Sequence, residues 1–198
     1  MHRNQIRELH YITAISNVPS IIRYGILSHA RARSLPHESI AMKEIQDRRS
    51  KVVVPNGRRL HDYVNLYFDA RNPMLFKLLE HVNQLCILRI KPEVLDLRGV
   101  VISDKNASSE YARFAAAPNG LGIIDESLVF ADDWTDPNPI FYYGKKSAKC
   151  AEVLVPDKIE HDLIIGGYIA NDSARIKIEA LGLNLPTTIN KHIFFQET

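Results

Sequence analysis

The feature that most constrains this chain is an apolar strand that contains one carboxylate. Residues 150–155 alternate like a β-strand, with Glu152 on the face of Cys150 and Leu154. Burying an unpaired carboxylate is costly, so Glu152 is expected to border a cleft or to face a fixed polar partner. Lysines at positions 145, 146 and 149 provide a positive field suited to an anionic ligand. The strand therefore predicts a site that stabilises positive charge on a phosphate-bearing substrate, unless Glu152 lies on an edge strand and points into water.

Length and composition favour one domain, which we place at residues 1–198. The net charge of +2 permits a local basic face but does not by itself indicate nucleic-acid binding. Cys86 and Cys150 lie in apolar runs without the Cys/His spacing of a zinc site, so we expect buried thiols, a reducing compartment and no metal. The chain shows neither a secretory signal nor an apolar run of membrane-helix length, which favours a cytoplasmic protein.

The pattern of short elements indicates an α+β fold. Alternating and β-branched runs predict strands at residues 9–15, 63–68, 85–90, 100–103, 150–155, 163–170 and 189–195. Capping and terminating residues predict helices at 17–25, 39–49, from Asn72 onward and at 171–181, with two more near 109–117 and 125–130. Residues 104–149 are otherwise irregular and end on the strand of Glu152, which is typical of a functional loop.

Several sequence blocks, taken together, resemble one known family. They are HYIT followed by Asn17 and Gly25, IQDRR, HDYVNLYFDARNPML and AEVLVP, spread over residues 9–156. In this order they resemble the DarT family of NAD-dependent DNA ADP-ribosyltransferase toxins. The resemblance implies a split, mostly antiparallel β core with surrounding helices. It also implies NAD as donor, a base of single-stranded DNA (thymine, or else guanine) as acceptor, a monomer, and a macrodomain antitoxin as partner.

The resemblance assigns the catalytic residues to Glu152 and Arg49. Cleaving nicotinamide from ribose builds oxocarbenium character on the sugar, which a nearby carboxylate such as Glu152 can stabilise. A guanidinium pairs well with phosphate oxygens, so Arg49 is expected to contact the cofactor. Arg48 lies one position earlier on a predicted helix and points in another direction.

The resemblance also places the cofactor-binding residues. The family usually has YHIT where this chain has HYIT, so Tyr11 occupies the place of the histidine and can stack on nicotinamide or donate a hydrogen bond. The full set is Tyr11, Ile12, Thr13, Ser20, Ser28, Arg49 and Tyr63.

Nucleic-acid binding is expected mainly from residues 104–149, which the resemblance identifies as the substrate-recognition loop. Aromatic rings can stack unpaired bases while cations neutralise phosphates. The candidates are Arg71, Arg113, Trp134, Tyr142, Tyr143, Lys145, Lys146 and Lys149. As alternatives, Trp134 can pack the loop onto the domain, and Arg113 can brace the loop.

Three alternative functions stay open from the sequence. RNA instead of DNA can be the acceptor, or the fold can serve an NAD-dependent RNA 2′-phosphotransferase, although no matching Arg/His set is evident. The chain can also be a catalytically weak nucleic-acid-binding module. Release of nicotinamide from NAD, with and without single strands, distinguishes them.

Overall fold

Ten β-strands organise the part of the chain that the structure describes. The structure is a computed structural model, and it describes residues 1–196. The strands are β1 (Leu9–Ala14), β2 (Ile26–Leu27), β3 (Tyr63–Tyr67), β4 (Leu85–Ile90), β5 (Val101–Ser103), β6 (Phe114–Ala116), β7 (Glu152–Pro156), β8 (Lys158–Ile159), β9 (Ile164–Ile169) and β10 (Thr187–Ile189). Eight form one sheet in the order β10-β9-β4-β1-β3-β7-β5-β6, and β2 pairs with β8 separately. All neighbours are antiparallel except β9 and β10, which confirms the predicted fold class.

Seven short α-helices surround the sheet in the described part. They are α1 (Val18–Tyr24), α2 (His29–Ala32), α3 (Lys43–Arg49), α4 (Pro73–Phe76), α5 (Glu126–Val129), α6 (Pro139–Ala148) and α7 (Asp172–Glu179). Short 3₁₀ helices lie at Arg3–Gln5, Ile15–Asn17, Leu60–Asp62, Leu79–Gln84, Pro92–Asp96, Asn119–Ile123 and His161–Leu163. None of these helices is long and apolar enough to cross a membrane.

Sequence chemistry explains where the helices begin and end. Asn72 and Asn171 cap α4 and α7 with their side-chain oxygens. Gly25 ends α1 with a φ of 80°, and a Cβ there would lie 2.4 Å from the carbonyl oxygen of Ile159. Only glycine therefore allows α1 to pass directly into β2 beside β8.

The main core packs against one face of the central strands. Val153 and Val155 of β7 join Val64 and Leu66 of β3 in this core, so β7 alternates as predicted. Glu152 lies on the opposite face, inside a strand that pairs with both β3 and β5. The edge-strand alternative for Glu152 is therefore wrong.

The sheet is split between β1 and β3. β1 pairs with β4 along all six of its residues, from Leu9 to Ala14. Its pairing with β3 consists of one position, His10 opposite Tyr67. The two strands diverge beyond this pair, and the gap between them opens a cleft in the middle of the sheet.

The structure corrects three element predictions. Residues 109–117 do not form a helix: a turn leads into β6 there, and Arg113 precedes that strand. The last strand is Thr187–Ile189, and residues 191–195 form turns. Lys145 and Lys146 lie on α6 rather than in an irregular loop, because Asn138 caps a helix with Pro139 in its first turn.

Candidate active site

A cavity of about 790 Å³ occupies the split in the sheet. Its walls come from both diverging strands, from α3, α4 and α6, and from a loop at residues 106–109. The lining includes the consecutive residues Tyr11, Ile12 and Thr13 of β1 and the facing residues Tyr63, Val64, Asn65 and Tyr67 of β3. Because both strands contribute consecutive residues, their unpaired backbone edges face the cavity.

A buried ion pair lies at the wall of this cavity. Nη1 of Arg49 donates to both carboxylate oxygens of Glu152 at 3.0 Å. The backbone N–H of Ala107 donates to Oε1 of the same carboxylate, also at 3.0 Å. Glu152 is fully buried and Arg49 is 6% exposed. The expectation of a fixed polar partner for Glu152 is thus met by Arg49.

Arg49 lines the cavity, whereas Glu152 lies behind it. The guanidinium therefore covers the carboxylate. On the adjacent strand, Tyr67 lies opposite Glu152, and burial together with the Glu152 charge raises the pKa of its phenol well above the usual value. Burial raises the pKa of Tyr11 to about 12, so both phenols stay neutral donors at physiological pH.

Two histidines in ring contact form another part of the wall. The rings of His29 and His61 lie 4.2 Å apart between centroids, and both line the cavity. Burial is the main cause that lowers the pKa of each, and for His61 the charge of Arg49 adds to it. Nε2 of His61 and Oε1 of Gln46 are buried without hydrogen-bond partners in the described chain. These two atoms can therefore form hydrogen bonds with a polar ligand in the cavity.

The HDY block predicts a structural or cofactor-wall role for His61, and no sequence motif points to His29. The sequence signal for His61 at the cavity is the HDY block, in which this histidine lies two residues before the cavity-lining Tyr63. The contact between His29 and His61 joins α2 to the turn before β3, and no local pattern predicts such a contact.

The predicted cofactor residues divide into two groups. Tyr11, Ile12, Thr13, Arg49 and Tyr63 all line the cavity. Ser20, on α1, and Ser28, which is 1% exposed, lie outside the cavity lining. The N–H of Ser28 donates to the carbonyl oxygen of Asp157, so this serine holds α2 against the turn between β7 and β8.

The HYIT order places His10 outside the cavity as well. Its ring lies between the carbonyl oxygen of Phe68 and the carboxylate of Glu8, each at 3.2 Å. Arg89 and Tyr168 also donate to Glu8. Burial alone would raise the pKa of Glu8, but these hydrogen bonds lower it to about 2. His10 therefore belongs to a polar cluster that braces β1 against β4 and β9.

Two of the predicted nucleic-acid-binding residues border the cavity. Tyr143 and Lys146 lie on the face of α6 that lines it, and Tyr143 is 67% exposed. Lys146 donates to the hydroxyl of Tyr142 at 3.2 Å. Lys145 pairs with Asp136 at 2.8 Å and lies outside the cavity lining. The cleft mouth thus carries an exposed ring beside a cation.

The structure corrects the expected exposure of other members of that set. Lys149 is 1% exposed, and its Nζ binds the carboxylate of Asp69 and the carbonyl oxygen of Val129. Trp134 is 9% exposed and packs edge-on against Phe76 and Phe195, as its packing alternative predicts. Both residues hold the segment before β7 onto the domain, so neither is free to meet a nucleic acid.

The two arginines also have structural partners. Arg71 donates to the carbonyl oxygens of Asp132 and His192 and lies over the ring of Phe195. Arg113 binds Asp104 at 2.7 Å and the carbonyl oxygen of Ile123, which agrees with its bracing alternative.

Residues 10–195 match the family model described as "ssDNA thymidine ADP-ribosyltransferase, DarT". The chain belongs to the DarT family. A DNA ADP-ribosyl transferase–DNA ADP-ribosyl glycohydrolase fusion protein of Thermosipho africanus is 32% identical over an alignment 205 residues long, which covers 96% of this chain and 50% of the relative. The chain thus spans about half the length of that curated DarT relative.

Solved DarT structures share the fold. Thermus sp. 2.9 DarT in complex with ADP-ribosylated ssDNA superposes with a TM-score of 0.80 at 26% identity, covering 96% of this chain and 97% of that one. The same Thermus protein in complex with NAD+ gives a TM-score of 0.76 at 25% identity, with coverage of 96% and 98%. Thermosipho africanus DarTG with ADP-ribose gives 0.82 at 29% identity, covering 96% of this chain and 51% of that one.

Proposed function

We propose that this DarT-family chain transfers ADP-ribose from NAD to a base of single-stranded DNA and releases nicotinamide. The observation that carries the proposal is the buried pair of Arg49 and Glu152 at the wall of a cavity that splits the sheet. Relatives of known structure bind NAD+ and ADP-ribosylated ssDNA, which supports the same two substrates here.

In the proposed reaction, the bond between nicotinamide and C1′ of ribose breaks, and its electron pair leaves with neutral nicotinamide. A nucleophilic atom of the base forms a new bond to C1′ and loses its proton to solvent. The ribose carries positive charge in between, which Glu152 stabilises. Because Arg49 covers Glu152, binding of NAD has to turn the guanidinium toward the substrate and uncover the carboxylate.

We propose that the His29–His61 pair holds the pyrophosphate. Arg33 and Arg49 lie close enough to act on these imidazoles electrostatically. A bound anion accepts a hydrogen bond from the unpartnered Nε2 of His61 and favours the protonated ring. Arg49, turned away from the carboxylate of Glu152, faces the ribose.

Single-stranded DNA is the proposed acceptor because the base has to enter a cavity inside the protein. An unpaired base enters without the unpairing and unstacking that a duplex base requires. Tyr143 and Lys146 at the mouth of the cavity can stack a neighbouring base and neutralise a phosphate. The modification blocks base pairing. We therefore propose a toxin that acts in the cytoplasm as a monomer and is countered by a macrodomain glycohydrolase, since the Thermosipho relative carries a glycohydrolase in the same chain.

The test is release of nicotinamide from NAD with and without a short single-stranded DNA, together with the mass of the DNA. We expect release that depends on the DNA and a mass increase of one ADP-ribose. Glu152→Gln should lose both. Transfer to RNA only, or removal of a phosphate from RNA, would support the other two activities of this fold. DNA binding without any release of nicotinamide would identify a binding module.

A further inference from the structure

The loop at residues 104–109 connects the ion pair to the other wall of the cavity. The N–H of Ala107 donates to Glu152, and the N–H of Asn106 donates to the carbonyl oxygen of Ser147 on α6 at 2.9 Å. Asn106, Ser108 and Ser147 line the cavity. This wall therefore lies beside the reacting carbon in the proposed function and faces whatever accepts ADP-ribose.

The side-chain amide of Asn106 is held in one orientation. Its Oδ1 accepts from the N–H of Ser108 at 2.9 Å and from the hydroxyl of Ser108 at 2.7 Å. A backbone N–H can only donate, so the atom that faces it is the amide oxygen. Nδ2 consequently points away from Ser108, and within residues 1–196 it has no acceptor. Asn106, which lines the cavity, thus carries an amide donor in a fixed orientation.

A second donor lies close by on α6. Oγ of Ser147 is buried and has no hydrogen-bond partner in the described chain. A buried hydroxyl without a partner is costly, and a ligand group that pairs with it removes that cost. The backbone bond from Asn106 to Ser147 keeps the two donors on adjacent segments.

We propose that Asn106 and Ser147 select the acceptor base by donating to two carbonyl oxygens. This inference rests on the proposed function. Thymine carries two carbonyl oxygens on either side of a ring N–H, whereas guanine and cytosine carry one each and adenine carries none. Two donors fit thymine, and they also fit uracil in DNA. Ser108 is the positioning residue that fixes the amide of Asn106.

Asn106→Asp is the sharpest test. Aspartate keeps the oxygen that accepts from Ser108 and replaces the donating nitrogen with an acceptor. Oligodeoxyadenylates with one central thymine, uracil, guanine or cytosine are compared by ADP-ribose transfer, with NAD affinity measured separately by calorimetry. We expect Asn106→Asp to lower transfer to thymine and uracil by roughly tenfold to hundredfold, with less effect on cytosine and on NAD binding. Ser147→Ala should lower transfer to thymine more than transfer to guanine.

The controls separate this inference from the function on which it rests. Asn119→Asp makes the same charge change at an exposed site outside the cavity and should behave as wild type. If Asn106→Asp fails to fold, Ser147→Ala and Ser108→Ala decide. Unchanged base preference in the folded variants would overturn the inference. If the wild type transfers to none of the oligonucleotides, the proposed function fails, and fluorescence anisotropy of the same oligonucleotides still decides whether Asn106 and Ser147 select thymine.

Discussion

The ion pair of Arg49 and Glu152 predicts an unequal effect of removing either partner on stability. Arg49→Ala leaves Glu152 with no partner but the N–H of Ala107, in a position that solvent does not reach. Removing one partner of a buried pair lowers the free energy of unfolding by about 3–5 kcal/mol, and we expect Arg49→Ala to lie at the upper end of this range. Glu152→Gln leaves Arg49 charged, but Arg49 borders the cavity and can be hydrated there. The loss of unfolding free energy for Glu152→Gln should therefore lie at the lower end of the range.

The assay is thermal unfolding of both variants. For a domain of this size, 1 kcal/mol shifts the Tm by about 2–4 °C, so we expect losses on the order of 10 °C, larger for Arg49→Ala. Arg48→Ala is the matched control, because Arg48 is exposed on the same helix and should change the Tm little. Arg49→Met combined with Glu152→Gln removes both charges and should recover part of the loss.

Activity distinguishes the chemical role from the structural one. Loss of one preorganised electrostatic group costs about 3 kcal/mol, so Glu152→Gln should lower transfer about 10²-fold or more at a temperature where it is folded. NAD affinity should fall far less, because the positive charge develops in the transition state. Equal Tm values for Arg49→Ala, Arg48→Ala and wild type would refute the reasoning. So would full transfer activity of folded Glu152→Gln.

Three further predictions follow from other parts of the structure. Lys149→Met should lower the Tm, because it leaves the carboxylate of Asp69 without its buried cation, whereas Lys145→Met should not; similar Tm changes for the two would contradict this. Single-stranded DNA should be modified much faster than duplex DNA, and equal rates on both forms would argue against entry of an unpaired base. Added salt should weaken DNA binding, and Tyr143→Ala should also weaken DNA binding. The pKa of Glu8 is lowered to about 2 in the fold from 4.5, so its contribution to stability is present above pH 4.5 and is lost as pH falls toward 2. The difference in unfolding free energy between wild type and Glu8→Gln should shrink over this interval, and a constant difference would disprove the link.

The strand of Glu152 shows which features of the site the sequence predicts and which it does not. An apolar run with one carboxylate predicts an internal strand and a polar partner, and the structure contains both. The partner itself lies 103 positions away on helix α3, and no local pattern connects the two. The resemblance to DarT proteins supplied Arg49 instead.

Lysines of residues 145–149 show where local reasoning stops. A run of charged residues predicts a solvated surface, yet Lys149 is buried because Asp69 and Val129 approach it from distant parts of the chain. The helix that carries Lys145 and Lys146 had a signal, since Asn138 and Pro139 form a typical helix start. The donors on Asn106 and Ser147 had none, because they depend on how a loop meets a helix.

The incomplete pairing of β1 with β3 gives this sheet an edge in its interior. Strand edges usually lie at the rim of a sheet, where free backbone groups can recruit another chain and cause aggregation. Here the free groups of residues 11–13 face a cavity that α3 and α6 also line, so a foreign strand cannot lie along them. A small molecule that enters the cavity can lie along these backbone groups. In the proposed function, the carboxamide of nicotinamide has the donor and the acceptor of a peptide unit, and this inner edge offers it the place of the missing strand.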